Sequence, residues 1–92
     1  PVDAVFAHWQ ASLGHHDAKL TPKRARLVKA RLKDGYTVEQ LKLAIEGCLA
    51  SAFNMGANDN GSKYDDLALI CRDGEHVERF LQMRRNPRPL PL

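Results

Sequence analysis

The sequence predicts an all-α fold: a compact bundle of four to five helices, with a buried third helix at its centre and one long loop. Three observations predict it. Apolar residues recur at helical spacing along successive segments. Residues that start and stop helices stand at the ends of those segments. The stretch from Phe53 to Asp66 carries neither signal. The 92 residues make one domain, placed at 1–83, with 84–92 as an extended Arg/Pro-rich tail. A chain of this size buries roughly 60–65% of its unfolded surface, enough for one modest core but not for a deep catalytic cleft.

Pro1 stands where an initiator Met is expected, so the chain reads as processed or as a piece of a longer protein. Asp3 is the expected N-cap of the first helix. Val5, Phe6, Trp9 and Leu13 follow on one apolar face, and Gly14 ends it. Trp9 has the ring to stack a base, but its place on that face assigns it to the core. His15-His16-Asp17 is a polar loop. Adjacent histidines project in different directions and nothing completes a ligand set, so no metal is expected.

The second helix starts clearly, with Thr21 as N-cap and Pro22 at the first helical position. Seven of the fourteen Lys and Arg lie in Lys19–Lys33, with no acid among them: Lys19, Lys23, Arg24, Arg26, Lys29, Arg31 and Lys33. At 100° per residue, Lys23, Arg26, Lys29 and Lys33 share one sector. Ala25, Val28 and Leu32 face the opposite way, and Arg24 and Arg31 form a second ridge beside Leu27. The four-residue stripe is about 15 Å long, suited to tracking phosphates without reading bases.

Gly35 is the expected left-handed stop of that helix, and Thr37 with Gln40 forms a capping box for the third. The third helix runs from Val38 to about Ala52. Val38, Leu41, Ile45, Cys48, Leu49 and Ala52 make its main apolar face, and Leu43, Gly47 and Ala50 a second. Gly47 costs ~1 kcal/mol against Ala inside a helix, which points to close helix contact there. Only Glu39, Lys42 and Glu46 are wet, with Lys42 and Glu46 paired at i, i+4. The helix–Gly turn–helix arrangement is helix-turn-helix-like. A recognition helix, however, offers basic and amide groups to the major groove, and this one offers a weakly acidic sliver.

The 54–66 stretch holds three Asn and two Gly, with Phe53 and Tyr64 expected to pin its ends. It reads as an ordered Ω-like loop, or as one that donates Asn and backbone N–H groups to phosphate. A calcium loop is excluded, because Gly56 and Leu67 stand where its first Asp and its bidentate Glu belong. Leu67–Arg72 is a short apolar element, helical or extended. Asp73 caps the last helix, whose core face is Val77, Phe80 and Leu81. Arg84, Arg85 and Arg88 follow among prolines that favour polyproline II.

Composition limits the function further. No apolar run reaches the ~20 residues of a membrane span, and no secretory signal pattern opens the sequence, so a cytoplasmic protein is expected. Cys48 and Cys71 read as buried thiols. Net charge is +3, unevenly spread: from Asp34 to Met83 nine acids face four bases, giving −5. That separation suits an anionic polymer on one side and a protein partner on the other. No nucleophile elbow, phosphate-binding loop or His/Cys set is present, and the adjacent Asp65 and Asp66 do not converge on one metal. A non-enzymatic protein without a cofactor is expected.

Taken in order, several short stretches form a recognisable set. They are Val5-Phe6-Ala7-His8-Trp9, Ala18-Lys19-Leu20 leading to Lys23-Arg24, and Arg31-Leu32-Lys33-Asp34-Gly35-Tyr36-Thr37. Then come Ala44-Ile45-Glu46-Gly47-Cys48, Asn54-Met55-Gly56 with Asn58 and Gly61, Tyr64-Asp65-Asp66-Leu67, and Glu75-His76-Val77-Glu78-Arg79-Phe80. Over residues 5–81 the chain resembles a small domain of bacteriophage and prophage replication proteins, found C-terminal to a helix-turn-helix or replisome-organiser region. The resemblance implies a part in phage DNA replication inside a bacterial host, through DNA binding or recruitment of the host replicative helicase. It carries over no site residues. Two functions follow as expectations. One is nucleic-acid binding through Lys19, Lys23, Arg24, Arg26, Lys29, Arg31, Lys33, Arg84 and Arg85. The other is a protein-interaction module that docks a helicase or a second copy of itself.

Overall fold

The computed structural model describes residues 1–86. Five helices follow in order: α1 (Val2–Leu13), α2 (Pro22–Lys33), α3 (Val38–Ala50), α4 (Leu67–Ile70) and α5 (Gly74–Arg85). The expected all-α bundle is the architecture found. No helix among the described residues is long and apolar enough to cross a membrane.

The helix ends are built as the local sequence requires. Thr21 Oγ1 accepts from the Arg24 N–H, and Thr37 and Gln40 close a reciprocal capping box. Asp66 accepts from the Ala68 N–H and Asp73 from the His76 N–H. At the end of α2, Gly35 adopts φ 109°. This lets the Gly35 and Tyr36 N–H groups reach back to the Leu32 and Arg31 carbonyls. α1 differs at its start: the cap position is Pro1, and Asp3 lies inside the first turn. There its charge faces the positive helix end rather than filling a cap.

α3 is the centre, packed along α5 on one side and α1 on the other. Val5, Trp9 and Leu13 of α1 meet Leu41, Ala44, Ile45 and Cys48 of α3, with Val28, Leu67, Ile70, Cys71, Val77 and Phe80 closing the core. Two residues of the expected apolar face are exposed, Leu49 in the last turn of α3 and Ala52 past its end, whereas Ala44, which was not expected there, is buried. Gly47 is where α3 and α5 approach most tightly: a Cβ built there would lie 1.7 Å from the Phe80 carbonyl oxygen.

The expected Lys42–Glu46 pairing is replaced. Lys42 reaches Glu39 at 3.8 Å rather than Glu46. Glu46 instead takes His8 of α1 at 3.2 Å and Arg84 of α5 at 3.1 Å. A carboxylate on the central helix thus ties both of its neighbours. Helical structure continues through Arg84 and Arg85, two residues past the expected boundary. The polyproline reading of the rest of the tail, with Arg88, lies outside the described residues.

The loop after α3 is pinned by amides. Asn54 is buried; its Nδ2 donates to the Tyr64 carbonyl at 2.9 Å, and its own carbonyl accepts from the Tyr64 N–H at 2.7 Å. Asn58 donates to the Phe53 and Ser62 carbonyls, at 2.8 and 2.7 Å. Phe53 and Tyr64, expected to pin the ends of the loop, do so by packing on each other and not on the core. They stack on each other at the surface, ring centres 5.8 Å apart.

Candidate nucleic-acid interface

The seven basic residues of Lys19–Lys33 divide into two groups. Arg24 is drawn into the fold. Its Nη2 donates to Asp66 Oδ2 at 2.9 Å and its Nη1 to the Lys19 carbonyl at 2.7 Å, while its guanidinium lies 4.9 Å from the Trp9 ring centre. Arg31 is consumed likewise. Its Nη1 donates to the Cys71 and Arg72 carbonyls just past α4, at 3.0 and 2.7 Å, and its Nε to Asp34 at 2.9 Å. Its side chain is only 13% exposed. Both guanidiniums staple α2 to the α4 region, and this use makes them poor contacts for an external phosphate.

Lys19, Lys23, Arg26, Lys29 and Lys33 are exposed. None of them lies within ion-pair distance of a carboxylate among the described residues. The opposite sector of α2 carries Val28 into the core, and this anchors the stripe facing outward. Arg84 is tied to Glu46, whereas Arg85 is exposed at the far end of α5. α3 is flanked by α1 and α5 and carries five buried residues, and its exposed residues, Glu39, Gln40, Leu49 and Ala50, include no cation for a major groove.

Beside the stripe, between α2 and α4, lies an open groove of about 710 Å³ lined by Thr21, Lys23, Arg24, Arg26, Leu27, Asp66, Ala68, Leu69 and Arg72. Arg24 and Asp66 neutralise each other across it, which leaves Lys23, Arg26 and Arg72 as a net cationic wall. Partial desolvation pushes the Asp66 carboxyl up. The Arg24 guanidinium and the Ala68 N–H more than offset this and hold it below the usual carboxylate range. Arg72 was not among the expected contacts. It is an isolated cation in the sequence, and only the fold brings it beside Lys23 and Arg26.

A second, more apolar groove of about 370 Å³ is lined by Phe53, Asn54, Tyr64, Leu69, His76, Arg79, Phe80 and Met83. Phe53 is 54% exposed and Tyr64 39%. The available signal for this pair was its position, two aromatics bracketing a Gly- and Asn-rich loop.

Three of the four histidines, His8, His15 and His76, lie against carboxylates, and His16 is exposed. His15 stacks on Trp9 with ring centres 4.5 Å apart, and its Nε2 lies 2.8 Å from Asp65 Oδ2. The Trp9 Nε1–H donates to the Asp65 carbonyl at 2.8 Å. His76 Nδ1 lies 2.8 Å from Asp73, whose carboxyl that contact and the His76 N–H hold below the usual range. No group of three or more His, Cys, Asp or Glu side chains suited to a metal occurs among the described residues. Burial pushes both thiols, Cys48 and Cys71, up to about 12.

No family model, curated protein or solved structure matches the chain.

Proposed function

We propose that this is a non-enzymatic nucleic-acid-binding domain that contacts phosphates through the outward face of α2, and that it serves in phage-type DNA replication. The observation that carries the binding reading is the division of the basic residues. Arg24 and Arg31 are spent inside the fold, while Lys23, Arg26, Lys29 and Lys33, with Lys19 ahead of them, stay exposed without acidic partners among the described residues. Cations released from internal pairing sit on one sector of a rigid helix, the arrangement that displaces counterions from a polyanion. The replication setting rests on the motif resemblance.

Titrating binding to single- and double-stranded DNA against salt tests the reading. If four cations act, log K on duplex falls with log salt at a slope of about −3 to −4. The Lys23/Arg26/Lys29/Lys33→Glu variant abolishes binding while keeping the wild-type helical spectrum. An affinity indifferent to salt, or one retained by the variant, refutes it.

A second reading is supported by the apolar side chains left outside at the end of α3, Leu49 and Phe53. On that reading the domain docks a protein, a host replicative helicase or a second copy of itself. Partner capture that survives charge reversal of α2 favours it.

A further inference from the structure

Leu69 of α4 lines both grooves. The cationic wall of Lys23, Arg26 and Arg72 therefore adjoins a surface carrying two exposed aromatic rings. The two rings do different work from those in the core. Trp9 is fully buried with its N–H satisfied. Phe53 and Tyr64 make a parallel pair, tilted by 19°, with much of each ring still in solvent. Exposure of such a pair leaves apolar area unpartnered, and besides it only Leu49 is an exposed large hydrophobic among the described residues. Beneath the pair the loop is firm, because Asn54 bonds the Tyr64 backbone twice and Met55 pairs with Lys63. The rings are thus presented on fixed backbone.

Among the residues lining the aromatic groove, Arg79 of α5 is a cation and none is an acid. Of the three acids in the loop, Asp59 and Asp65 line neither groove, and Asp66 is paired with Arg24. An anionic, ring-bearing occupant fits both halves, and an acidic protein helix fits only the first. Bases in a duplex are stacked on each other and cannot offer a face to Phe53. Bases in a single strand can.

We propose, resting on the nucleic-acid reading above, that the domain takes single-stranded nucleic acid along a continuous path. Phosphates lie against Lys23, Arg26 and Arg72, and at least one base stacks on the Phe53–Tyr64 pair beyond Leu69. The occupant is a single strand because the aromatic half gains nothing from a duplex.

The test is a double-substitution cycle in affinity, using fluorescein-labelled oligo-dT of about 12 nucleotides, an abasic strand of the same length, and a duplex. The proteins are wild type, Phe53→Ala/Tyr64→Ala, Phe53→Tyr/Tyr64→Phe and the α2 charge reversal. Removing both rings is expected to weaken oligo-dT by roughly ten- to a hundredfold. It leaves the abasic strand and the duplex within about twofold, since those probes make no stacking contact. The ring-keeping variant retains wild-type affinity for oligo-dT, which separates lost stacking from a disturbed loop. Equal losses on oligo-dT and the abasic strand overturn the stacking path and leave the phosphate reading standing. Undiminished oligo-dT binding without the rings does the same. Failure of wild type to bind any of the three probes overturns both proposals, and capture of a protein through Phe53 and Tyr64 then assigns the groove to that partner.

Discussion

The Phe80 carbonyl of α5 lies against the Cα of Gly47 in α3, with no space for a side chain between them. A Cβ at position 47 would stand 1.7 Å from the carbonyl oxygen and 2.6 Å from its carbon. The obstacle is backbone on the facing helix, so no rotamer change relieves it. On an open helix Gly→Ala stabilises by about 1 kcal/mol. Here overpacking reverses the sign, and Gly47→Ala is expected to cost about 1–3 kcal/mol. Urea unfolding checks it, and a variant as stable as wild type would show that α5 shifts freely on α3.

That contact was legible in the sequence because a glycine in mid-helix weakens the helix unless a neighbouring backbone needs the space. The caps were legible for a related reason. Thr21, Thr37 with Gln40, and Asp73 act on N–H groups two or three residues away, so the information is local. What the sequence hid is the fate of Arg24 and Arg31. Their partners, Asp66 and the Cys71 and Arg72 carbonyls, stand about forty residues on, and composition treats all seven cations alike. The helical wheel held one hint, placing the two arginines on a ridge beside Leu27, apart from the stripe. Leu49 was misplaced because α3 is apolar around most of its circumference. Periodicity along such a helix cannot say where it ends or which apolar side stays wet.

Both cysteines are fully buried, and burial pushes each thiol up to about 12. Only the thiolate is a nucleophile, so the folded protein is expected to be inert to Ellman's reagent at pH 8. Two thiols per chain should react once denaturant is added. Rapid labelling of the native protein would mean that the α3–α4 contact opens often.

Asp66 gives a signature in acid. Its folded pKa is depressed, so its charge contributes stability above the ordinary carboxylate range. That contribution is lost as pH falls below about 4 and through the folded value. Asp66→Asn keeps an N-cap for α4 but removes the charge facing Arg24. Asp66 is half exposed, so solvent screens the pair and the expected loss at pH 7 is that of a surface pair, about 0.2–1 kcal/mol. Below the folded value wild type and variant converge. Unfolding curves at pH 7 and in acid check this; a gap that persists in acid would assign the effect to the cap and not to the ion pair.

The division of labour on α2 is testable one residue at a time, because stability and binding should respond to different residues. Arg31→Gln strands the Cys71 and Arg72 carbonyls behind a nearly buried side chain. A cost of about 1–3 kcal/mol follows, with affinity for DNA falling little as long as the protein stays folded. Arg24→Gln should behave similarly but more mildly, since its partner Asp66 is half exposed to solvent. Arg26→Gln and Lys29→Gln reverse the pattern. Their side chains are exposed and unpaired among the described residues, so stability should hold within about 0.5 kcal/mol. Each should flatten the duplex salt slope by about 0.9, one phosphate's share. The slope is the sharper readout, because a partly unfolded variant loses affinity without losing a defined number of counterions. If Arg24 and Arg31 flatten it as much as Arg26 and Lys29 do, the internal bonds open on binding and all seven cations act together.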